Sequence, residues 1–275
     1  MDQFLKNILT IKGSLKPVAY VVVAASIKIR PCVLIKCFME LRCGFAISTY
    51  HRNTDRLVVF KTCITSVMST KKDDTVVIIV DDGSLITEHL EWVLDAHPSV
   101  VIVRRPTNGG ISKCKNTCLR ELGTTTCDIF FLLDDDVEIV KSIENKYILA
   151  HSEDNVSILS ASWPPYGNPC LGSFSANTCR TPLLNGFLLS LTAKTFRKAG
   201  FFKILPHKYG HEHVWYTYRT MTCTEQPCFL DISDGMEFYK ILPGESSVPE
   251  DEKAVGRASN GFNPESWSRS EPCIE

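Results

Sequence analysis

Three consecutive aspartates, Asp134-Asp135-Asp136, follow the apolar run Ile129-Phe130-Phe131-Leu132-Leu133. A buried strand that emerges onto carboxylates brings hard oxygen donors to one spot. Side chains alternate along an extended strand, so Asp134 and Asp136 are expected to point the same way and share a divalent cation with positions left open. An all-oxygen site suits Mg²⁺ or Mn²⁺, and either would neutralise a departing diphosphate as a Lewis acid. An acidic turn that caps the next helix is the competing reading.

Further polar clusters stand elsewhere. In Asp81-Asp82-Gly83-Ser84 a carboxylate can accept the imide N–H of a uracil or bind ribose hydroxyls, and an Asx-type turn closed by Gly83 is the plainer alternative. Asn108-Gly109-Gly110-Ile111-Ser112-Lys113 opens a helical stretch, where free backbone N–H groups and the positive helix end favour a phosphate. Lys113 and Asn116 share a face opposite Ile111, Cys114, Cys118 and Leu122, which turns them toward a crevice or toward solvent. Gly210-His211-Glu212-His213 precedes the aromatic Trp215, Tyr216 and Tyr218. A glutamate between imidazoles can take the proton of an attacking hydroxyl, surface polar residues being the alternative. Its two histidines are too close in sequence for the zinc-protease helix motif.

These residues need elements to position them. Apolar strands over 44–49, 76–80, 100–103 and 129–133 alternate with helical stretches over 54–68, 88–94 and 110–122. Leu57, Phe60, Ile64 and Val67 fall at helical spacing, and Val76-Val77-Ile78-Ile79-Val80 has the β-branched pattern of a strand buried on both faces. The order implies an α/β fold: a parallel sheet with helices on both faces and ligands at the carboxyl ends of its strands. Thr49-Tyr50-His51-Arg52, Asp81-Asp82 and the triple aspartate all stand at such ends and are expected to converge on one crevice.

After Val140 the rhythm weakens, and Trp163-Pro164-Pro165-Tyr166-Gly167-Asn168-Pro169 reads as loop. One main domain is expected over 41–242, with a first half at 41–140 and a loop-rich half at 141–242. Residues 243–275, rich in Pro, Ser, Glu and Gly, read as a flexible tail. Residues 1–40 read as an extension whose apolar run over 18–27 is cut off by Lys28 and Arg30, short of the roughly 20 apolar residues a bilayer span needs. A cytoplasmic location is expected, with membrane association through 1–40 left open.

With 30 basic and 31 acidic side chains there is no basic excess to neutralise phosphates, so nucleic acid is not an expected partner. The twelve cysteines include no CxxC pair, which argues against a compact zinc site. Cys170 with Cys179 and Cys223 with Cys228 are the pairs an oxidising compartment would bridge, and free thiols are the preferred reading.

Taken in order, the motifs resemble family 2 and related GT-A glycosyltransferases over about residues 44–220. Ile47-Ser48-Thr49-Tyr50-His51-Arg52 is similar to the family's opening strand and nucleotide loop, and Val80-Asp81-Asp82-Gly83-Ser84 to its nucleoside-binding VDDGS. Asn108-Gly109-Gly110-Ile111-Ser112 with Asn116 resembles the NxGxxxARN helix start, with Cys114-Lys115 in place of Ala-Arg. Leu133-Asp134-Asp135-Asp136 resembles the DxD metal motif, and Asn185-Gly186-Phe187 with Ala199-Gly200-Phe201-Phe202 the segment before the catalytic acid. Glu212 falls where relatives place the base of an xED-type motif, with His213 in place of the Asp.

The resemblance implies a GT-A fold: a Rossmann-like nucleotide-binding sheet with a mixed, loop-rich acceptor half. It implies transfer of a sugar from a nucleoside diphosphate, UDP preferred, to a glycan or other hydroxyl acceptor, with Mn²⁺ or Mg²⁺. Thr49, Tyr50, Arg52, Asp81, Asp82, Asn108, Gly110, Lys113, Asp134 and Asp135 would meet the donor. Asp134 and Asp136 would hold the metal, and of His211 and His213, His213 is taken as its third ligand. Glu212 as base implies a single displacement with inversion. The alternatives are a metal-dependent nucleotidyltransferase, disfavoured because no glycine falls between Thr49 and Asp55, and a non-catalytic carbohydrate-binding protein of the same fold. A Rossmann dehydrogenase is excluded by the lack of GxGxxG after the first strand.

Overall fold

Cys43–Thr49 carries no charged side chain, and all seven of its residues are buried in strand β1. In the computed structural model the described residues are 41–161, 171–181, 185–205, 208–210 and 212–243. The expectations for 1–40, the Trp163 to Pro169 loop, Cys170, His211 and the tail from 244 fall outside them. After β1 come α1 (Leu57–Thr70), β2 (Val76–Asp81), α2 (Glu88–Ala96), β3 (Val101–Arg104), α3 (Ile111–Thr124) and β4 (Ile129–Asp134). They follow the alternation read from the sequence. Helix α1 starts later than expected because residues 53–56 form a turn: the Asp55 N–H donates to Asn53 Oδ1 at 3.2 Å and the Leu57 N–H to the Thr54 carbonyl at 3.0 Å.

The second half is more regular than its sequence suggests. It contains β5 (Val137–Ile139), α4 (Glu144–Ser152), β6 (Ile158–Ser160), β7 (Thr178–Arg180), β8 (Leu188–Thr192), α5 (Ala193–Ala199), α6 (Glu212–Thr224), β9 (Leu230–Ile232) and β10 (Tyr239–Ile241). Most of these strands have three residues, too few for a period to show.

The main sheet runs in the order β3-β2-β1-β4-β8-β6. Strands β1 to β4 pair in parallel, and β8 lies antiparallel to both β4 and β6. Side chains that alternate along each strand meet a helical layer on either face. On one face Ala46, Val80, Phe130 and Leu132 share a core with Cys114, Cys118 and Leu122 of α3 and Tyr216 and Met221 of α6. On the other, Phe45 and Phe131 stack at 4.5 Å, and Tyr147 of α4 meets Phe131 edge-on at 5.2 Å. Cys114, Cys118, Cys223 and Cys228 are free thiols. Among the described residues no helix is long and apolar enough to cross a membrane.

Register fixes the site. Thr49 at the end of β1 pairs with Asp81 of β2, and Ser48 pairs with Asp134 of β4. The three polar strand ends therefore stand side by side, as the alternation required. Gly44 sits where α3 presses on β1: a Cβ there would come within 2.7 Å of Leu122 Cδ2 and 2.9 Å of Cys127 Sγ. Gly44→Ala is expected to lower stability by about 1–3 kcal/mol through overpacking, read as an earlier midpoint in urea denaturation with an unchanged slope.

Candidate active site

Strand β4 ends at Asp134, and the chain then turns over Asp135 and Asp136 before β5. The alternation expected to align Asp134 with Asp136 therefore stops two residues short of Asp136. Asp134 lies 3.3 Å from Lys115 Nζ and accepts from the Ser48 hydroxyl at 3.2 Å. Asp135 accepts from the Thr49 hydroxyl at 2.6 Å and from Arg56 Nη2 at 3.1 Å. Asp136 shares that Nη2 at 3.2 Å, with about a third of its side chain exposed.

Three carboxylates thus meet two cationic side chains. Burial and then the neighbouring Asp135 and Asp134 push the Asp136 carboxyl up to about 7, against the pull of Arg56. Burial also lifts Asp134, with Lys115 opposing. An excess of crowded oxygen donors, one of them reluctant to ionise, is a donor set that fits a hard divalent cation. Among the described residues no three His, Cys, Asp or Glu side chains gather tightly enough to hold an ion alone. His213 is therefore not brought to Asp134 and Asp136 as a third ligand: its Nδ1 faces Glu212 Oε1 at 3.4 Å, and its ring lies against Gly186, where a Cβ would approach Nδ1 to 2.8 Å.

At the carboxyl end of β2 both carboxylates already bind neighbouring loops. Asp81 is fully buried; it accepts from the Ser84 N–H at 3.2 Å and lies 3.1 Å from Arg104 Nε. Asp82 accepts from the N–H groups of Gly109 at 3.2 Å and Gly110 at 2.9 Å, and pairs with Arg105. The Ile111 N–H donates to the Lys208 carbonyl at 2.9 Å. The amides expected to cradle a phosphate are thus engaged by Asp82 and Lys208. Gly110 has φ +88°, and a Cβ there would meet the Lys208 carbonyl oxygen at 2.6 Å, so this position calls for glycine.

Asn108 Nδ2 donates to the Tyr209 hydroxyl at 2.9 Å, and Asn116 braces the Phe202 backbone, donating to its carbonyl at 2.9 Å and accepting from its N–H at 2.6 Å. Lys113 is exposed, Tyr50 is half-buried and Arg52 is exposed with its guanidinium 5.9 Å from the Tyr50 ring centre. Of the aromatics near Glu212, Tyr216 belongs to the core, stacked on Phe202 at 4.0 Å.

Glu212 is the first residue of α6 and is buried. Its Oε1 lies 3.3 Å from Lys115 Nζ, which also donates to the Gly186 carbonyl at 2.7 Å. Lys115 thus joins Asp134 to Glu212, although sequence reasoning chose Lys113 from this helix. A signal existed: Lys115 is a cation among the buried α3 residues Cys114, Cys118 and Leu122, at the position where the resemblance has Arg. Burial alone would raise the Glu212 carboxyl, but Lys115, then His213, outweigh it and hold the group well below its ordinary value. Burial would lower the Lys115 ammonium, and Asp134 and Glu212 outweigh that to raise it.

The sequence profile of glycosyl transferase family 2 matches residues 45–199. An uncharacterized glycosyltransferase of Acanthamoeba polyphaga mimivirus is 29% identical over 210 residues, covering 74% of this chain and 82% of that protein. Among solved structures, S. aureus TarS 1–349 in complex with UDP-GlcNAc shares 16% identity at TM-score 0.57, covering 75% of this chain and 60% of that one. GalNAc-T7 with UDP, GalNAc and Mn²⁺ shares 13% identity at TM-score 0.58, covering 75% of this chain and 45% of that one. The chain thus spans less than two thirds of either solved relative, and the likeness is one of fold.

Two stability effects follow from these contacts. Lys115→Met leaves two carboxylates without their shared cation and is expected to cost about 3–5 kcal/mol in chemical denaturation at neutral pH, with Lys115→Arg closer to the parent. Asp136 has the opposite sign. Its folded value of about 7 exceeds the ordinary 3.8, so the folded chain keeps a proton that the unfolded chain releases. That contribution is present at about pH 4 and is lost as pH rises through about 7. In chelator, Asp136→Asn should therefore raise the denaturation midpoint at neutral pH, and the gain should disappear near about pH 4.

Proposed function

Because the chain belongs to glycosyl transferase family 2, we propose that it moves a sugar from a UDP-sugar to a glycan or other hydroxyl acceptor, with inversion and with Glu212 as the base. The observation that carries this reading is the Lys115 bridge: one buried ammonium lies 3.3 Å from both the first aspartate of the triplet and the buried glutamate opening α6. It brings a donor-side carboxylate and an acceptor-side carboxylate to the same point, across which a sugar would pass. The UDP-GlcNAc held by TarS and the UDP and Mn²⁺ held by GalNAc-T7 support the donor class and the ion. The transferase domain on this reading is 41–242.

Asp134 and Asp136 would hold a Mn²⁺ or Mg²⁺ ion, which supplies Lewis-acid neutralisation of the leaving diphosphate. The protein's own residues do the rest. The acceptor oxygen attacks the anomeric carbon as the bond from that carbon to the diphosphate oxygen breaks, and the acceptor proton goes to Glu212. Held below its ordinary pKa, Glu212 stays ionised and ready to accept. The transfer becomes favourable as the new C–O bond makes the acceptor proton acidic. Lys115 fixes the carboxylate toward the donor, and its burial keeps that geometry from relaxing into water.

The test is release of UDP from a panel of UDP-sugars with Mn²⁺. Release should stop with chelator, and Asp136→Ala should fail to restore it at saturating Mn²⁺. Glu212→Gln should lower kcat by about 10²–10⁴-fold while still binding UDP, because the base acts on the acceptor side. NMR of the product from an α-linked donor should show the β configuration, and an α product would overturn the single displacement. If no donor turns over and Mn²⁺ promotes no nucleotide binding, the non-catalytic carbohydrate-binding alternative takes its place.

A further inference from the structure

Between Asp81 and Asp135 two imidazoles lie one over the other. His51 follows β1 and His89 is the second residue of α2; their ring centres are 4.3 Å apart and tilted by 31°. Phe60 of α1 closes both rings edge-on at 5.3 Å, and neither imidazole reaches solvent. His51 Nε2 faces Asp135 Oδ2 at 3.4 Å, and His89 Nε2 faces Asp81 Oδ1 at 3.5 Å. None of the four ring nitrogens has a hydrogen-bond partner of good geometry. Burying such groups is costly, and phenylalanine would fill the same space without that cost. The sugar-transfer step above uses neither ring.

Their position in the sheet gives them a role. Asp81 ends β2 and Asp135 follows β4, on either side of β1. The backbone already clips one side: the His51 N–H donates to Ser84 Oγ at 2.7 Å and the Leu85 N–H to the His51 carbonyl at 2.8 Å. The rings add a second link across β1, beside Thr49, whose hydroxyl donates to Asp135 at 2.6 Å and whose carbonyl accepts from the Asp82 N–H at 2.9 Å. With Arg104 on Asp81 at one end and Arg56 on Asp135 and Asp136 at the other, anionic groups alternate with N–H-bearing groups from the nucleoside side to the diphosphate side.

We propose that His51 and His89 are positioning residues that tie Asp81 to Asp135, so that the nucleoside-side and diphosphate-side carboxylates of the donor site are set as one unit. This rests on the donor reading above. Electrostatics agree at the end away from the triplet: burial pushes the Asp81 carboxyl up, yet His89 with Ser84 holds it below the ordinary value. With each ring donating from Nε2, both carboxylates gain an N–H. Because the rings stack, displacing one displaces the other.

The test has one arm without ligand and one with it. In the unaltered protein labelled with ¹⁵N-histidine, NMR should show His51 and His89 each carrying a proton on Nε2 that exchanges slowly with water. Asp135→Asn should move the resonances of His89 as well as those of His51. A ring protonated on Nδ1 alone, or a His89 signal indifferent to Asp135→Asn, overturns the proposal. In the second arm, UDP affinity is measured with Mn²⁺ for His51→Phe, His89→Phe and the double variant, which fill about the same space and are checked for urea midpoints no lower than the parent's. Each single variant should weaken UDP binding about tenfold, and the double should be little weaker than either. Single effects that multiply in the double variant, or unaltered affinity, overturn the coupling. Should the unaltered protein bind no UDP, the donor reading is what fails, and the NMR arm alone decides whether the pair links the two aspartates.

Discussion

A buried ammonium is stable only where anions meet it, and the site of this protein is organised around that requirement. Lys115 reaches its place because α3 packs its Cys114, Cys118 and Leu122 face onto the sheet, which leaves its side chain buried. Its partners come from three separate parts of the chain: Asp134 at the end of β4, Glu212 at the start of α6, and the Gly186 carbonyl before β8. Removing any one leaves a charge or a donor unmatched in a low-dielectric setting, which couples the two halves of the domain.

The same economy of charge recurs along the carboxyl ends of the sheet. Each acidic side chain there is matched to a donor from a neighbouring loop: Asp82 to the α3 N-terminus and Arg105, Asp81 to Ser84 and Arg104, Asp135 to Thr49 and Arg56. These contacts tie the loops at the carboxyl ends of the sheet to one another. Asp136 differs. It has only a share of Arg56 and a partly exposed side chain, so its charge is the least compensated of the triplet.

Much of this was legible in the chain alone. Continuous apolar runs ending in polar clusters identified the parallel strands, because a strand buried on both faces tolerates polar residues only where it leaves the sheet. The order of those runs placed Thr49, Asp81 and Asp134 at one edge, and the combination of motifs pointed to the family. Glu212 was singled out by its flanking imidazoles and by where the resemblance places the base. The short strands β6, β7, β9 and β10 were not legible: three residues carry no period, and their pairing depends on chain that arrives from elsewhere.

What the sequence by itself determined was therefore local: which segments are apolar enough to form the sheet, and which acidic residues stand at its ends. Only the tertiary structure decided what those residues meet. It turned Asp136 to Arg56 when β4 ended at Asp134, gave the Gly109 and Gly110 amides to Asp82, held His213 against Gly186 beside Glu212, and buried Lys115 where Lys113 had been expected to act. The reason is physical. Helical and strand periods are set by neighbours along the chain, whereas the partner of a buried charge is set by whichever element closes over it.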